Sequence, residues 1–86
     1  MEGDKQLVGK VTHYFTNIGV AVIKVEVPIN IGDKLSFEGN TTNFMQEVSS
    51  MQVNNKAVDK AKKGDDIGMK VKERVRAGDM VYKLAA

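Results

Sequence analysis

Along most of the chain, apolar and polar residues alternate with a period of two, and clusters of Gly, Asn and Asp interrupt the alternation. Successive strand side chains point to opposite faces, so the pattern predicts half-buried β-strands. The clearest run is VAVIKVEV, residues 20–27, where Ala21, Ile23, Val25 and Val27 share one face and Lys24 and Glu26 take the other. Before it, QLVGKVTHYF (residues 6–15) holds Val8, Val11, Thr12, Tyr14 and Phe15, which suit a pleated surface. Between the two runs, Asn17 and Gly19 both tolerate positive φ, so a hairpin is expected. Pro28 has no N–H and ends the second ladder. KLSFEG follows with Leu35 and Phe37 in phase, then a turn at residues 40–42.

FMQEVSSMQV, residues 44–53, has a phase error: Phe44 matches Val48 and Met51 matches Val53, but the pairs are an odd number of positions apart. A β-bulge near Ser49 and Ser50 restores the phase, because one extra residue flips the alternation. NNKAVDKAKKG, residues 54–64, is polar with a weak helical hint in Ala57, Val58 and Ala61, enough for a turn or a single helical turn. DIGMKVKERV, residues 66–75, and MVYKLAA, residues 80–86, complete the set. Six short strands joined by turn signals, with no helix longer than about two turns, predict an all-β barrel or sandwich. Its expected extent is residues 6–84, after a flexible N-terminus at 1–5.

Besides Gly3-Asp4 near the start, Gly-Asp occurs three times just ahead of an apolar-rich run, at Gly32-Asp33, Gly64-Asp65 and Gly78-Asp79. The turn reading is that Gly supplies positive φ and Asp bonds the backbone two residues on. The metal reading is weak: hard cations need about six oxygens from one defined loop, and these carboxylates sit in separate turns.

The chain has 86 residues, enough for one core and no second. It has no Cys, hence no disulfide, thiolate metal site or cysteine nucleophile, which fits a reducing cytoplasm. No apolar run approaches the roughly 18 residues of a membrane span, and MEGDKQLVGK lacks a signal-peptide core. A soluble, cytoplasmic protein without membrane association is expected.

The order of VGKV, INIGDKL, VSSMQVNN, VDKAKKGDDIGMKV and RAGDMVYKL resembles the second domain of translational GTPases such as elongation factor Tu. It is similar also to the C-terminal barrel of collagenase-like peptidases that act in RNA modification, to which GKVTHYF and VYKL are at least as close. The resemblance spans about residues 7–84 and implies a small closed antiparallel Greek-key barrel of six to seven strands. It carries no catalysis over to this chain. The nucleotide-binding domain and its phosphate loop are missing, so no GTP binding is expected, and the peptidase catalytic part lies outside the barrel.

His13 is the only histidine, which leaves zinc without paired imidazoles and favours a structural or surface role. Asp65-Asp66 lies in a solvated turn where burial cannot tune a carboxyl for acid–base work. Met45, Met51, Met69 and Met80 are expected to fill core gaps. No catalytic residue, cofactor site or metal site is assigned. The remaining candidate is KVKERVR, residues 70–76. In a strand, Lys70, Lys72, Arg74 and Arg76 share one face at steps of about 6.6 Å, and Lys62 and Lys63 in the preceding turn add charge. Net charge is only +2, but residues 44–86 carry nine basic against six acidic groups, while residues 1–43 carry four against five. Two readings stay open: a solvated face paired with Glu26, Glu38 or Glu47, or a phosphate-binding stripe on which Tyr14, Phe15 and Tyr82 stack bases if exposed. The function expected first is a stand-alone, non-catalytic barrel binding RNA or a ribonucleoprotein in translation or RNA modification. The alternative is a protein-interaction module, a detached subunit of a larger enzyme of the collagenase-like peptidase type.

Overall fold

The computed structural model describes residues 5–84. Ten strands form: β1 (Lys5–Phe15), β2 (Val20–Val25), β3 (Ile29–Asn30), β4 (Lys34–Glu38), β5 (Asn43–Glu47), β6 (Gln52–Val53), β7 (Lys56–Ala57), β8 (Lys60–Ala61), β9 (Asp66–Lys70) and β10 (Met80–Leu84). Eight of them make one antiparallel sheet in the order β5-β4-β10-β1-β2-β9-β6-β7, and β3 pairs with β8 beside it. No helix occurs among the described residues. The all-β expectation holds, and the added strands are two-residue pieces too short to show periodicity. Lys5, expected in a flexible N-terminus, opens β1 opposite Leu84, while residues 1–4 lie outside the described residues.

The phase error at Ser49-Ser50 is resolved by breaking the strand rather than bulging it. β5 pairs with β4 and β6 pairs with β9, with residues 48–51 between them outside any ladder. Phe44, Val48 and Met51 all stay buried across that break. Residues 54–64, with their helical hint, instead carry β7 and β8. Asn54 and Asn55 turn β6 into β7 with φ of 53° and 65°, the two left-handed residues a type I′ hairpin needs. The β1–β2 hairpin forms as expected, but Gly19 takes positive φ without Asn17. Bulges do occur in β1, at Val8 and Thr12, where the register against β10 and β2 slips.

The core contains Val8, Val11, Ile23, Val25, Ile29, Leu35, Phe37, Ile67, Met69, Val75 and Val81, all at most 1 % exposed. Phe37 and Phe44 face each other across β4 and β5 and stack with centroids 4.9 Å apart. Met51 and Met69 fill the core as expected, but Met45 is 57 % exposed on the outer face of β5, a correction to its expected core place.

The Gly-Asp pairs at residues 32–33, 64–65 and 78–79 share one geometry. The Asp33, Asp65 and Asp79 amides donate to the carbonyls of Asn30, Lys62 and Arg76 at 3.0–3.1 Å. Gly32, Gly64 and Gly78 hold φ of 93–98° at the third turn position, where a type II turn requires left-handed backbone. Each Asp Oδ2 accepts from the N–H of the turn's first residue at 2.8–2.9 Å. The carboxylate thus reaches back three residues, not forward two. Each turn also grips one buried valine. Gly78 N–H donates to the Val11 carbonyl at 2.7 Å and Val11 N–H to the Asp79 carbonyl at 2.8 Å, and Gly64/Val25/Asp65 and Gly32/Val48/Asp33 repeat the exchange at 2.8–2.9 Å.

Gly9 is a close approach of another kind. A Cβ there would lie 2.6 Å from the Lys24 carbonyl oxygen and 2.8 Å from Ile23 Cγ2, whereas one on Gly68 would meet only Val20 Cγ1 at 3.5 Å. Gly9→Ala is therefore expected to lower unfolding free energy by about 1–3 kcal/mol, the usual cost of overpacking, and Gly68→Ala to change it by less than about 0.5 kcal/mol. Urea denaturation of the two variants checks the contrast.

Candidate interaction surface

The basic residues 70–76 do not form a strand stripe. β9 ends at Lys70, and residues 71–79 run as an irregular connection into β10. Burial there recurs at Val71 and Val75, a spacing of four, with Lys72, Glu73 and Arg74 exposed between them. The alternation ran through because Val71 does point inward, but Glu73 is not paired with it as a strand would require. Lys70, Lys72, Arg74 and Arg76 are all exposed, on a backbone that leaves the ladder after Lys70.

Local contacts place these cations. Arg76 and Lys62 are the first residues of two Gly-Asp turns, so their backbones are fixed by Asp79 and Asp65, and Lys63 follows in the second of these. Lys62 and Lys63 precede β9 while Lys70 closes it, so the two groups flank a strand roughly 13 Å long. Gln46 of β5 anchors the far group: its Nε2 donates to the Lys70 carbonyl at 3.0 Å and its Oε1 accepts from the Lys72 N–H at 2.8 Å. Val71 N–H adds a bond to the Gly19 carbonyl at 3.0 Å.

The described ion pairs are Lys5–Glu38 and Lys83–Asp33, and neither involves the candidate cations. Pairing of these cations with Glu26, Glu38 or Glu47 is therefore not seen among the described residues. Glu38 is held below the ordinary carboxyl range by hydrogen bonds from Lys5 and then from Ser36. The aromatics divide. Tyr14 packs partly against the core, Tyr82 lies under the Lys5 ammonium at 4.8 Å, and Phe15 is 45 % exposed beside His13, with ring centroids 4.3 Å apart. Sequence reasoning missed Phe15 with Ile18, Val20 and Val22 as one apolar surface. Ile18 is 59 % exposed at the hairpin tip, and a groove of ≈ 400 Å³ runs from there to Asn54 and Asn55. The signal was present in Val20 and Val22, apolar on the face opposite the core, but was read as strand propensity. No group of three or more His, Asp or Glu side chains that could hold a metal ion occurs among the described residues.

The chain is similar along nearly all its length to part of larger proteins. It is 41 % identical over 78 residues to an uncharacterized protease of Methanocaldococcus jannaschii, covering 90 % of this chain and 19 % of that protein. It is 38 % identical over 81 residues to a collagenase of Porphyromonas gingivalis, covering 92 % of this chain and 22 % of that one. The chain thus spans about a fifth of the length of these relatives. Crystal structures of the C-terminal domain of a protein designated a U32 peptidase in Geobacillus thermoleovorans share the fold, with TM-scores of 0.84 and 0.85 at 23 % identity, covering 88 % and 91 % of this chain and 96 % and 91 % of theirs. No family model matches the chain. These similarities support the peptidase side of the resemblance, and none of them is a translational GTPase.

The Gln46 bridge gives a test of how the basic segment is held. Gln46→Ala removes two side-chain hydrogen bonds worth about 0.5–1.5 kcal/mol each. The expected outcome is a loss of about 1–3 kcal/mol in urea denaturation and faster exchange of the Lys72 amide, which loses its acceptor, while the Val81 amide of β10 speeds up only in step with the global loss.

Proposed function

We propose that this chain is a non-catalytic accessory domain of the U32 peptidase type, which works by docking onto the catalytic part of such an enzyme, in the same polypeptide or as a separate subunit. The observation that carries the reading is 38–41 % identity over about nine-tenths of this chain to a fifth of two proteases. The polar groups are consistent with it. Asp33, Asp65 and Asp79 are engaged in turns and Glu38 binds Lys5 and Ser36, so these carboxylates already have partners, and His13 packs against Phe15. In this reading the sheet closes as a Greek-key barrel, and the Gln46 bridge from the end strand β5 to the backbone after β9 supports that closure.

A second reading, RNA binding through Lys70, Lys72, Arg74, Arg76, Lys62 and Lys63, is favoured by the exposure of all six and their lack of ion pairs among the described residues. The translational GTPase likeness belongs with this reading.

The test is affinity purification of the tagged chain from its host, with and without ribonuclease, alongside a gelatin-hydrolysis assay of the chain alone. The expected result is a peptidase-type protein retained after ribonuclease and no hydrolysis by the chain. Hydrolysis by the purified chain overturns the non-catalytic role, and a complex lost to ribonuclease moves RNA ahead.

A further inference from the structure

The outward face of β1, β2, β9 and β6 is apolar in its middle and cationic at its margins. Directly opposed residues of antiparallel strands share a face, so the registers assign three rows. The first is Phe15–Val20–Lys70. The second is His13–Val22–Gly68–Gln52. The third is Lys10–Lys24–Asp66. The intervening Ala21, Ile23 and Val25 are buried, which fixes these rows on the outside. Gly68 adds no side chain, and its missing Cβ would meet only Val20, so the middle of the face is a shallow depression floored by Val20 and Val22. Phe15 and Ile18 form one wall, and the Asn54-Asn55 hairpin with Gln52 forms the other.

Asp66 lines the groove, and the lysines stand outside it at the ends of the rows, three cations to that one carboxylate. Lys70 bounds the first row and Lys10 and Lys24 bound the third, against the single carboxylate of Asp66. None of these three lysines takes part in a described ion pair. Lys10 and Lys24 stand directly opposite each other, and Asp66 stands opposite Lys24 on its other side, leaving one cation in excess that an incoming carboxylate would meet. The amide groups of Gln52, Asn54 and Asn55 supply both donors and acceptors, matching a peptide backbone. We propose that this face docks an extended protein segment carrying an aliphatic side chain, seated over Val20, Val22 and Gly68, between flanking carboxylates that meet Lys70 and the Lys10–Lys24 pair. A stacked base fits less well, because His13 already packs against the Phe15 ring. The inference rests on the docking role proposed above and names the chemistry of the segment gripped.

The experiment uses the full chain and a fluorescein-labelled octapeptide of serine that carries one leucine with a glutamate two residues away on each side, so that all three share one face of an extended segment. The same octapeptide with lysine in place of glutamate and an oligouridylate serve as controls, read by anisotropy and by backbone amide shifts. The leucine–glutamate peptide is expected to bind saturably, at least tenfold more tightly than its lysine counterpart, and to shift the Val20, Val22 and Gly68 amides. Phe15→Ser with Ile18→Ser should weaken it at least tenfold, and Lys70→Glu at least threefold. All three side chains are exposed, and should the double variant unfold, Lys70→Glu decides. Equal binding of the lysine peptide, no saturation by millimolar concentration, or oligouridylate shifting these amides where the peptide does not, each overturns the proposal. If the peptide fails while a peptidase-type partner is still retained by the chain, the docking role stands and this face is not its seat.

Discussion

The fold depends on a hydrogen-bonded grip repeated three times. A Gly-Asp turn presents one N–H and one C=O, and a buried valine from elsewhere in the chain answers with its own C=O and N–H. Val11, Val25 and Val48 lie within β1, at the end of β2 and just past β5, while the turns gripping them launch β10, β9 and β4 respectively. Buried backbone groups must be paired, and this exchange pairs them where the regular ladders end or slip. The carboxylate is what makes the turn rigid enough for the task, because it ties the turn's first N–H to its last residue. Asp79, itself buried, also excludes any side chain at residue 39, where a Cβ would lie 2.0 Å from its Oδ1.

Much of this was legible in the sequence because turn chemistry and two-residue periodicity are both local signals. Gly-Asp announced turns, VAVIKVEV announced β2, and the phase error around Ser49-Ser50 announced a discontinuity. Three features were not legible. The two-residue strands β3 and β8 pair with each other from far apart in sequence, so no local pattern marks them, whereas β6 and β7 are joined by the Asn54-Asn55 turn but are too short to show periodicity. Residues 70–76 alternate as a strand would, yet the segment leaves the ladder after Lys70, since only Val71 and Val75 find room in the core. The partner of each Gly-Asp turn is a long-range matter also, and nothing near Asp79 points to Val11.

The same division governs the candidate surface. The cations were visible as a composition bias, but their backbone is set by turns, by the end of β9 and by Gln46, not by the continuous strand that spacing alone suggested. The apolar face was hidden by its own strand-like character: Val20 and Val22 satisfy β-propensity whether or not anything covers them. Such a face suits association with another protein surface, because burial of apolar side chains is the main drive for association.

Amide hydrogen exchange by NMR tests the grip most directly. If the three turns are what the sheet hangs on, the Val11, Val25 and Val48 amides open only with global unfolding. Their exchange free energies then equal the unfolding free energy from denaturant, as for core amides generally. Exchange of these three at the rates of exposed loops, while the central β1–β2 amides remain protected, would contradict the account and leave the Gly-Asp turns as mere connections.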